Sequence, residues 1–137
     1  MPLLTLGYRE WKDVMEVARA VAAVDGYVLD CRFMPFAKPW SMQTFRDALG
    51  NRYAWAKGLG NEHYKGGPVR LHDPEKWVIR LRSSMDQGRT VVLLCCCADL
   101  ASCHLTSVLN LLRARWGVCE AQRMSPPKRA EAQTILF

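Results

Sequence analysis

Residues 91–95 form an uninterrupted apolar run, Val-Val-Leu-Leu-Cys, and no other feature constrains the fold of this chain as strongly. A strand with one face in water alternates apolar and polar side chains, and this run does not. An unbroken apolar run is typical of a central parallel strand, which is buried on both faces. The run therefore predicts a parallel sheet that is covered by helices on each side.

The rest of the chain alternates between strand patterns and helix patterns. Trp11, Val14 and Met15 begin a series at helical spacing, and Ser41 and Asp73 are typical helix caps. Further strands are predicted at 3–6, 27–31, 52–55 and 118–121, and helices at 11–22, 42–49, 74–87 and 103–116. This order predicts an α/β fold: a single three-layer domain with a mostly parallel sheet of four or five strands and helices on both faces.

Length and composition favour one globular domain. The 137 residues fit a single domain, 1–137, in which 123–137 form a C-terminal extension. No apolar run approaches the ~18–20 residues that span a bilayer, and the N-terminus lacks the basic segment of a signal peptide. The six cysteines are therefore expected to be reduced thiols, which predicts a cytoplasmic location and no membrane partner.

The chain is basic, with a formal net charge of +6 at pH 7. A basic surface attracts anions, so a nucleotide or a nucleic acid is the predicted partner. The lysines and arginines are scattered or lie at helical spacing, which is more typical of solvated helix faces than of a binding stripe. The charge thus favours an anionic partner without locating its site.

Three segments that follow predicted strands are expected to meet at one edge of the sheet. They are residues 30–38, 57–67 and 95–104. Ligands of open parallel sheets bind at the carboxyl ends of the strands, which is the edge where these segments begin. The candidate site is therefore predicted at this edge.

The segment from Cys95 to His104 carries the most reactive side chains of the chain. Ser102 is expected to cap the following helix, which places Cys103 and His104 in its first turn. Helix-start N–H groups lower the pKa of a thiol and favour anions. We therefore predict nucleophilic or redox chemistry, with Cys95, Cys103 and His104 as catalytic residues. The alternative is that the run 95–97 consists of small apolar core residues.

A zinc site is a further interpretation of the same segment. Cys95, Cys97, Cys103 and His104 supply the thiolate and imidazole ligands that zinc uses, but their C-x-C-x5-C-H spacing is not that of a standard finger or ribbon. In one helical turn, Cys103 and His104 would point about 100° apart, which is awkward for one tetrahedral ion. We therefore predict no metal ligands and assign no cofactor, and a structural zinc domain stays an alternative.

Charged and aromatic residues of the other two segments complete the candidate site. Asp30 and Arg32 face the same side of a strand end and are predicted to belong to the catalytic set as the pair that orients the substrate; a structural ion pair that ties down the loop 33–41 is the alternative. Lys65 precedes a Gly-Gly pair that lets the backbone approach an anion closely. The predicted substrate-binding residues are Lys38, Trp40, His63, Lys65 and Cys97.

Leu93-Leu94-Cys95, a gap of seven residues and Cys103-His104 resemble the signature of the bacterial and phage domain-of-unknown-function 488 family, which continues with Arg. Asp30-Cys31-Arg32 is similar to the Asp-x-Arg strand end of that family, and the resemblance covers residues 4–122. Leu105 replaces the usual Arg, and Cys97 replaces a frequent acidic residue. The resemblance implies the α/β fold and the position of the site. It implies no reaction, because the family has no settled activity.

These observations lead to one preferred function and two alternatives. The preferred function is an enzyme that acts on a nucleotide, a nucleic acid or a similar anionic substrate through the Cys/His site. The first alternative is a non-catalytic module that binds nucleic acid or protein through the basic surface and Trp40 or Trp55. The second alternative is the structural zinc domain.

Overall fold

The computed structural model describes residues 3–97, 103–117 and 120–127, which contain one five-stranded sheet. The strands are β1 (Leu3–Gly7), β2 (Gly26–Asp30), β3 (Tyr53–Trp55), β4 (Thr90–Cys95) and β5 (Gln122–Arg123). Their order across the sheet is β3-β2-β4-β1-β5, and all neighbouring strands run parallel. The predicted parallel sheet is thereby confirmed.

Helices cover both faces of this sheet. They are α1 (Val14–Ala23), α2 (Met42–Leu49), α3 (Glu75–Asp86) and α4 (Leu105–Trp116). One apolar cluster joins the sheet to α1 and α2, and a second joins its opposite face to α3 and α4. The predicted three-layer α/β fold is therefore confirmed. None of the helices in the described part of the chain is long and apolar enough to cross a membrane.

The apolar run that predicts the fold is the central strand, β4. Its residues Val91, Leu93 and Cys95 pack under α3 and α4, whereas Val92 and Leu94 pack under α1 and α2. Burial of one such aliphatic side chain contributes roughly 1.5–3 kcal/mol. The strand therefore stabilises both layers at once, which explains why its residues 91–95 are all apolar.

The chain connections create a crevice on each side of β4 at the carboxyl ends of the strands. The chain leaves β1 and β2 for helices on one face, but it leaves β4 for α4 on the other face. Since β4 lies between β1 and β2, the segments that follow these neighbouring strands separate there. Ligands of open α/β sheets bind in such crevices.

The inward face of α1 differs from the prediction at Met15, whose side chain is 52% exposed. The helix begins at Val14, after the side chain of Asp13 has accepted a hydrogen bond from the Glu16 N–H. Its buried face contains Val17 and Val21, and Met15 lies about 100° from Val14 around the helix axis. Apolar spacing alone does not separate these neighbouring positions.

The predicted caps of the second and third helices have different outcomes. Ser41 caps α2, because its hydroxyl accepts a hydrogen bond from the Thr44 N–H at 3.2 Å. The predicted cap at Asp73 is wrong, because α3 begins at Glu75 without a side-chain cap. The backbone N–H of Asp73 instead donates to the Gly58 carbonyl, which joins the helix start to the preceding loop.

The last described strand lies later in the chain than predicted. The prediction placed it at 118–121, but β5 comprises Gln122–Arg123; residues 118 and 119 lie outside the described part. β5 pairs with Leu4 and Thr5 at the exposed edge of the sheet, so it needs no apolar pattern. The predicted C-terminal extension begins at Arg123, and its residues 128–137 also lie outside the described part.

Candidate functional site

A cavity of about 410 Å³ lies at the carboxyl ends of the strands, beside β4. Its wall contains residues from all three segments that the sequence predicts to converge, including Arg32, His63 and Cys95. Tyr8, which directly follows β1, adds a fourth contribution. The volume falls within the ~300–1,000 Å³ that is usual for small-molecule sites.

His104 lies at the wall of this cavity, and its ring is held at both nitrogens. Its Nε2 is 2.6 Å from the carbonyl oxygen of Cys31, which only accepts hydrogen bonds, so Nε2 carries a hydrogen. In the neutral ring, Nδ1 is then an acceptor. This atom lies 3.5 Å from Sγ of Cys95 and 3.9 Å from Sγ of Cys103. The two thiols therefore face the basic nitrogen of one oriented imidazole.

The position of α4 explains why Cys103 and His104 converge. The helix begins at Leu105, so the prediction that both residues occupy its first turn is wrong. His104 is the residue that precedes the helix and has helical φ and ψ, and Ser102, the predicted cap, lies outside the described residues. Successive residues of a helix point about 100° apart around its axis. Cys103 precedes the helix, so this restriction does not apply to it and its side chain can approach that of His104.

The thiols differ in their burial and protonation. Cys95 is only 3% exposed, but it lines the cavity. Burial, with the charge of Asp30, raises the pKa of Cys31 well above its usual value. A hydrogen bond with Cys95 and partial burial raise the pKa values of Cys96 and Cys97. These three residues therefore remain neutral thiols near pH 7.

Asp30 and Arg32 form a closed ion pair behind the cavity. The guanidinium Nε and Nη2 donate to the two carboxylate oxygens at 2.8 and 2.6 Å. The hydroxyl of Tyr53 donates to the same carboxylate, and Nη1 of Arg32 donates to the Trp40 carbonyl. Asp30 is 0% exposed, whereas Arg32 reaches the cavity wall. The pair thus ties the loop 33–41 to the sheet and leaves only Arg32 near a ligand.

Tyr8 is a site residue that the sequence reasoning missed. Its ring stacks on Trp40 with 4.6 Å between the centroids, and the guanidinium of Arg32 lies 5.2 Å from its ring centroid. Burial raises the pKa of its phenol, which lines the cavity as a neutral hydroxyl. Applying the strand-end rule to β1 as well as to the later strands would have found it.

The predicted substrate-binding residues lie in different places. His63 and Cys97 line the cavity, and Nδ1 of His63 is 2.7 Å from the Pro68 carbonyl oxygen. Lys65 is exposed, and its ammonium lies 5.8 Å from the ring centroid of Tyr64 in the cavity wall. Lys38 is exposed and lies outside this wall. Trp40 lines a separate cavity of about 440 Å³ next to α1 and α2.

The charges around the cavity favour an anion. The described residues of its wall include Arg32 and His63 but no carboxylate. A guanidinium nitrogen of Arg9 lies 4.0 Å from Sγ of Cys96, also in the wall. Glu62, beside the wall, is engaged by His72, which lowers its pKa through a hydrogen bond, and by Arg70. A negatively charged ligand therefore meets no unpaired carboxylate among these residues.

The thiols and the imidazole also include two groups with the spacing of metal ligands. Ligand atoms of Cys95, Cys103 and His104 all lie within 4.8 Å of one another, and so do the sulfurs of Cys95, Cys96 and Cys97. The first group combines two thiols with an imidazole whose Nδ1 faces both sulfurs. The prediction that these residues are too divergent to share an ion depends on helical geometry, and Cys103 precedes the helix.

No protein-family model, curated protein or solved structure matches this chain. The resemblance to the domain-of-unknown-function 488 family therefore remains a prediction. Function is inferred from the geometry of the cavity and of its thiol and imidazole groups.

Proposed function

We propose that the protein is an enzyme that acts on a nucleotide, a nucleic acid or a similar anionic substrate, with Cys95 as nucleophile and His104 as base. One observation carries this proposal: Nδ1 of His104 lies 3.5 Å from Sγ of Cys95 while Nε2 is held by the Cys31 carbonyl. A nucleophile, a base and a group that orients the base form the minimal arrangement for covalent catalysis.

The proposed step exchanges one bond of the substrate for another while His104 transfers one proton from the thiol to the leaving group. The thiol proton of Cys95 passes to Nδ1 of His104, and the sulfur forms a bond to an electrophilic atom of the substrate. The bond from that atom to the leaving group breaks, and the leaving group takes its electron pair and the proton from Nδ1. The Cys31 carbonyl stabilises the charged imidazole, since Nε2–H donates to it at 2.6 Å.

The walls of the cavity favour a substrate that combines negative charge with a planar ring. Tyr8, Phe33 and Tyr64 provide aromatic surface, and Arg32 and the phenol of Tyr8 provide hydrogen-bond donors. Aromatic faces stack on nucleobases with little sequence preference. Asp30 acts through Arg32 as a positioning residue, because its carboxylate is fully buried.

Replacing His104 by glutamine is expected to slow alkylation of Cys95 by iodoacetamide at pH 7 by roughly 10–100-fold, because the thiol loses its positioned base. Time-resolved mass spectrometry of the tryptic peptides measures this rate. His63→Gln is the matched control, since His63 lines the same cavity but bonds to Pro68. Equal rates in the two variants would contradict the assigned role of His104.

An anionic ligand is expected to protect Cys95 from alkylation. A mixture of the four ribonucleoside monophosphates is predicted to slow the reaction about tenfold more than the four uncharged ribonucleosides, because the described residues of the wall include the guanidinium of Arg32 and no carboxylate. Equal protection by both mixtures would count against an anionic substrate. Nucleotide binding to a chain whose Cys95 is unreactive would instead favour the non-catalytic binding module.

A further inference from the structure

We infer that Cys95, Cys103 and His104 are also a binding site for one thiophilic divalent cation, with Zn²⁺ as the best match. Their ligand atoms all lie within 4.8 Å of one another. Zinc bonds of about 2.3 Å to sulfur and 2.0–2.1 Å to nitrogen give a tetrahedral N···S edge of about 3.6 Å. The distances from Nδ1 to the sulfurs of Cys95 and Cys103, 3.5 and 3.9 Å, bracket that edge.

The imidazole is already held as a ligand requires. A metal-bound histidine almost always donates its other ring N–H to a carboxylate, a carbonyl or water, which fixes the tautomer and directs the ligating nitrogen. Nε2 of His104 makes this contact with the Cys31 carbonyl at 2.6 Å. Nδ1 therefore points toward the two sulfurs with its lone pair before any ion binds.

The ligand types determine which ion is preferred, and the cavity determines which further ligand can bind to that ion. Two thiolates and one imidazole favour zinc over the hard cations magnesium and calcium. Three protein ligands leave a fourth position for water or another small ligand. Cys95 and His104 both line the cavity, so this position opens toward it.

Unlike the zinc of a structural zinc domain, an ion at this site would affect the reactivity of Cys95 and not the stability of the fold. Two apolar clusters already span both faces of the sheet, so the fold does not depend on an ion. The cation would occupy the sulfur of Cys95 and the nitrogen of His104, the two atoms that the proposed reaction needs. We therefore expect zinc to inhibit the reaction of Cys95 reversibly, and this expectation alone rests on the proposed function.

Titration of the reduced full-length chain with Co²⁺ and then Zn²⁺ tests the inference. One equivalent of Co²⁺ is expected to give thiolate-to-metal absorption that Zn²⁺ removes, and Zn²⁺ is expected to stop alkylation of Cys95 until a chelator is added. Cys103→Ser is predicted to weaken zinc binding by more than about 100-fold. Loss of a residue that only hydrogen-bonds to a metal ligand typically weakens binding by about 10–100-fold. The control Cys96→Ser removes a thiol outside the inferred set and is expected to bind zinc normally.

Two results would overturn the metal site: a wild-type chain that binds neither ion, or a Cys96→Ser variant that loses as much affinity as Cys103→Ser. His104→Gln provides a second ligand deletion, so a misfolded Cys103→Ser variant does not decide the question alone.

The metal site and the proposed function can be refuted independently of each other. If the chain binds no zinc but Cys95 still reacts in a manner that depends on His104, only the metal site is refuted. Zinc binding to a chain whose metal-free Cys95 is inert would refute only the proposed function.

Discussion

Replacing Asp30 by alanine is expected to lower the free energy of unfolding by about 3–5 kcal/mol, the range for breaking a buried ion pair. The substitution leaves the Arg32 guanidinium without its two carboxylate acceptors, in a residue that is largely buried. It also removes the acceptor of the Tyr53 hydroxyl. The remaining charge is costly because Arg32 is only 9% exposed, so water solvates it incompletely.

Urea denaturation of the wild-type chain and two variants measures this effect. Asp86→Ala is the control, since its carboxylate, 67% exposed, pairs with Arg82 at 3.5 Å on the surface of α3. That exposed pair contributes no more than about 0.5 kcal/mol. If Asp30→Ala proves no more destabilising than Asp86→Ala, the Asp30–Arg32 pair does not hold the loop 33–41.

Replacing Gly58 by alanine is expected to cost about 3 kcal/mol, at the upper end of overpacking effects. An added Cβ would lie 2.0 Å from the carbonyl oxygen of Asp73 and 2.6 Å from Cδ1 of Trp77. The backbone at Gly58 cannot move away from Asp73 without breaking a hydrogen bond, since the Asp73 N–H donates to the Gly58 carbonyl at 2.9 Å. The loop must therefore separate from the start of α3.

Gly88→Ala is the matched control for this prediction. Gly88 has a φ of +81° but no atom within 4 Å of an added Cβ, so its substitution tests backbone conformation without a clash. The expected cost is about 1–2 kcal/mol. Thermal unfolding followed by circular dichroism separates the two cases. Equal midpoints for both variants would mean that Gly58 and α3 do not pack as closely as described.

The fold follows from the sequence because its strongest signals are local. The apolar run of β4 predicts burial on both faces, and the helical spacing of the other segments predicts the covering layers. The errors concern boundaries and edges, where local pattern is weak. Met15 is apolar but exposed, and β5 is a polar edge strand of two residues without an apolar pattern.

The convergence of the site could be predicted, but its contacts could not. The strand-end rule brings Cys95, His104 and Arg32 to one cavity. The partner of Nε2 is the backbone carbonyl of Cys31, 73 residues away in sequence, and every residue has such a carbonyl. No side-chain pattern reports that contact. Likewise, the start of α4 at Leu105 depends on the preceding turn, and apolar spacing alone does not place it.

Site-resolved mass spectrometry of the wild-type chain during alkylation at pH 7 measures most directly whether Cys95 is the nucleophile. Cys95 is 3% exposed, whereas Cys96 and Cys97 are half-buried, so accessibility alone favours the latter two. Activation by His104 predicts the opposite order, with Cys95 labelled about tenfold faster. Labelling of Cys96 or Cys97 first, with Cys95 reacting only when the chain unfolds, would contradict the proposed site.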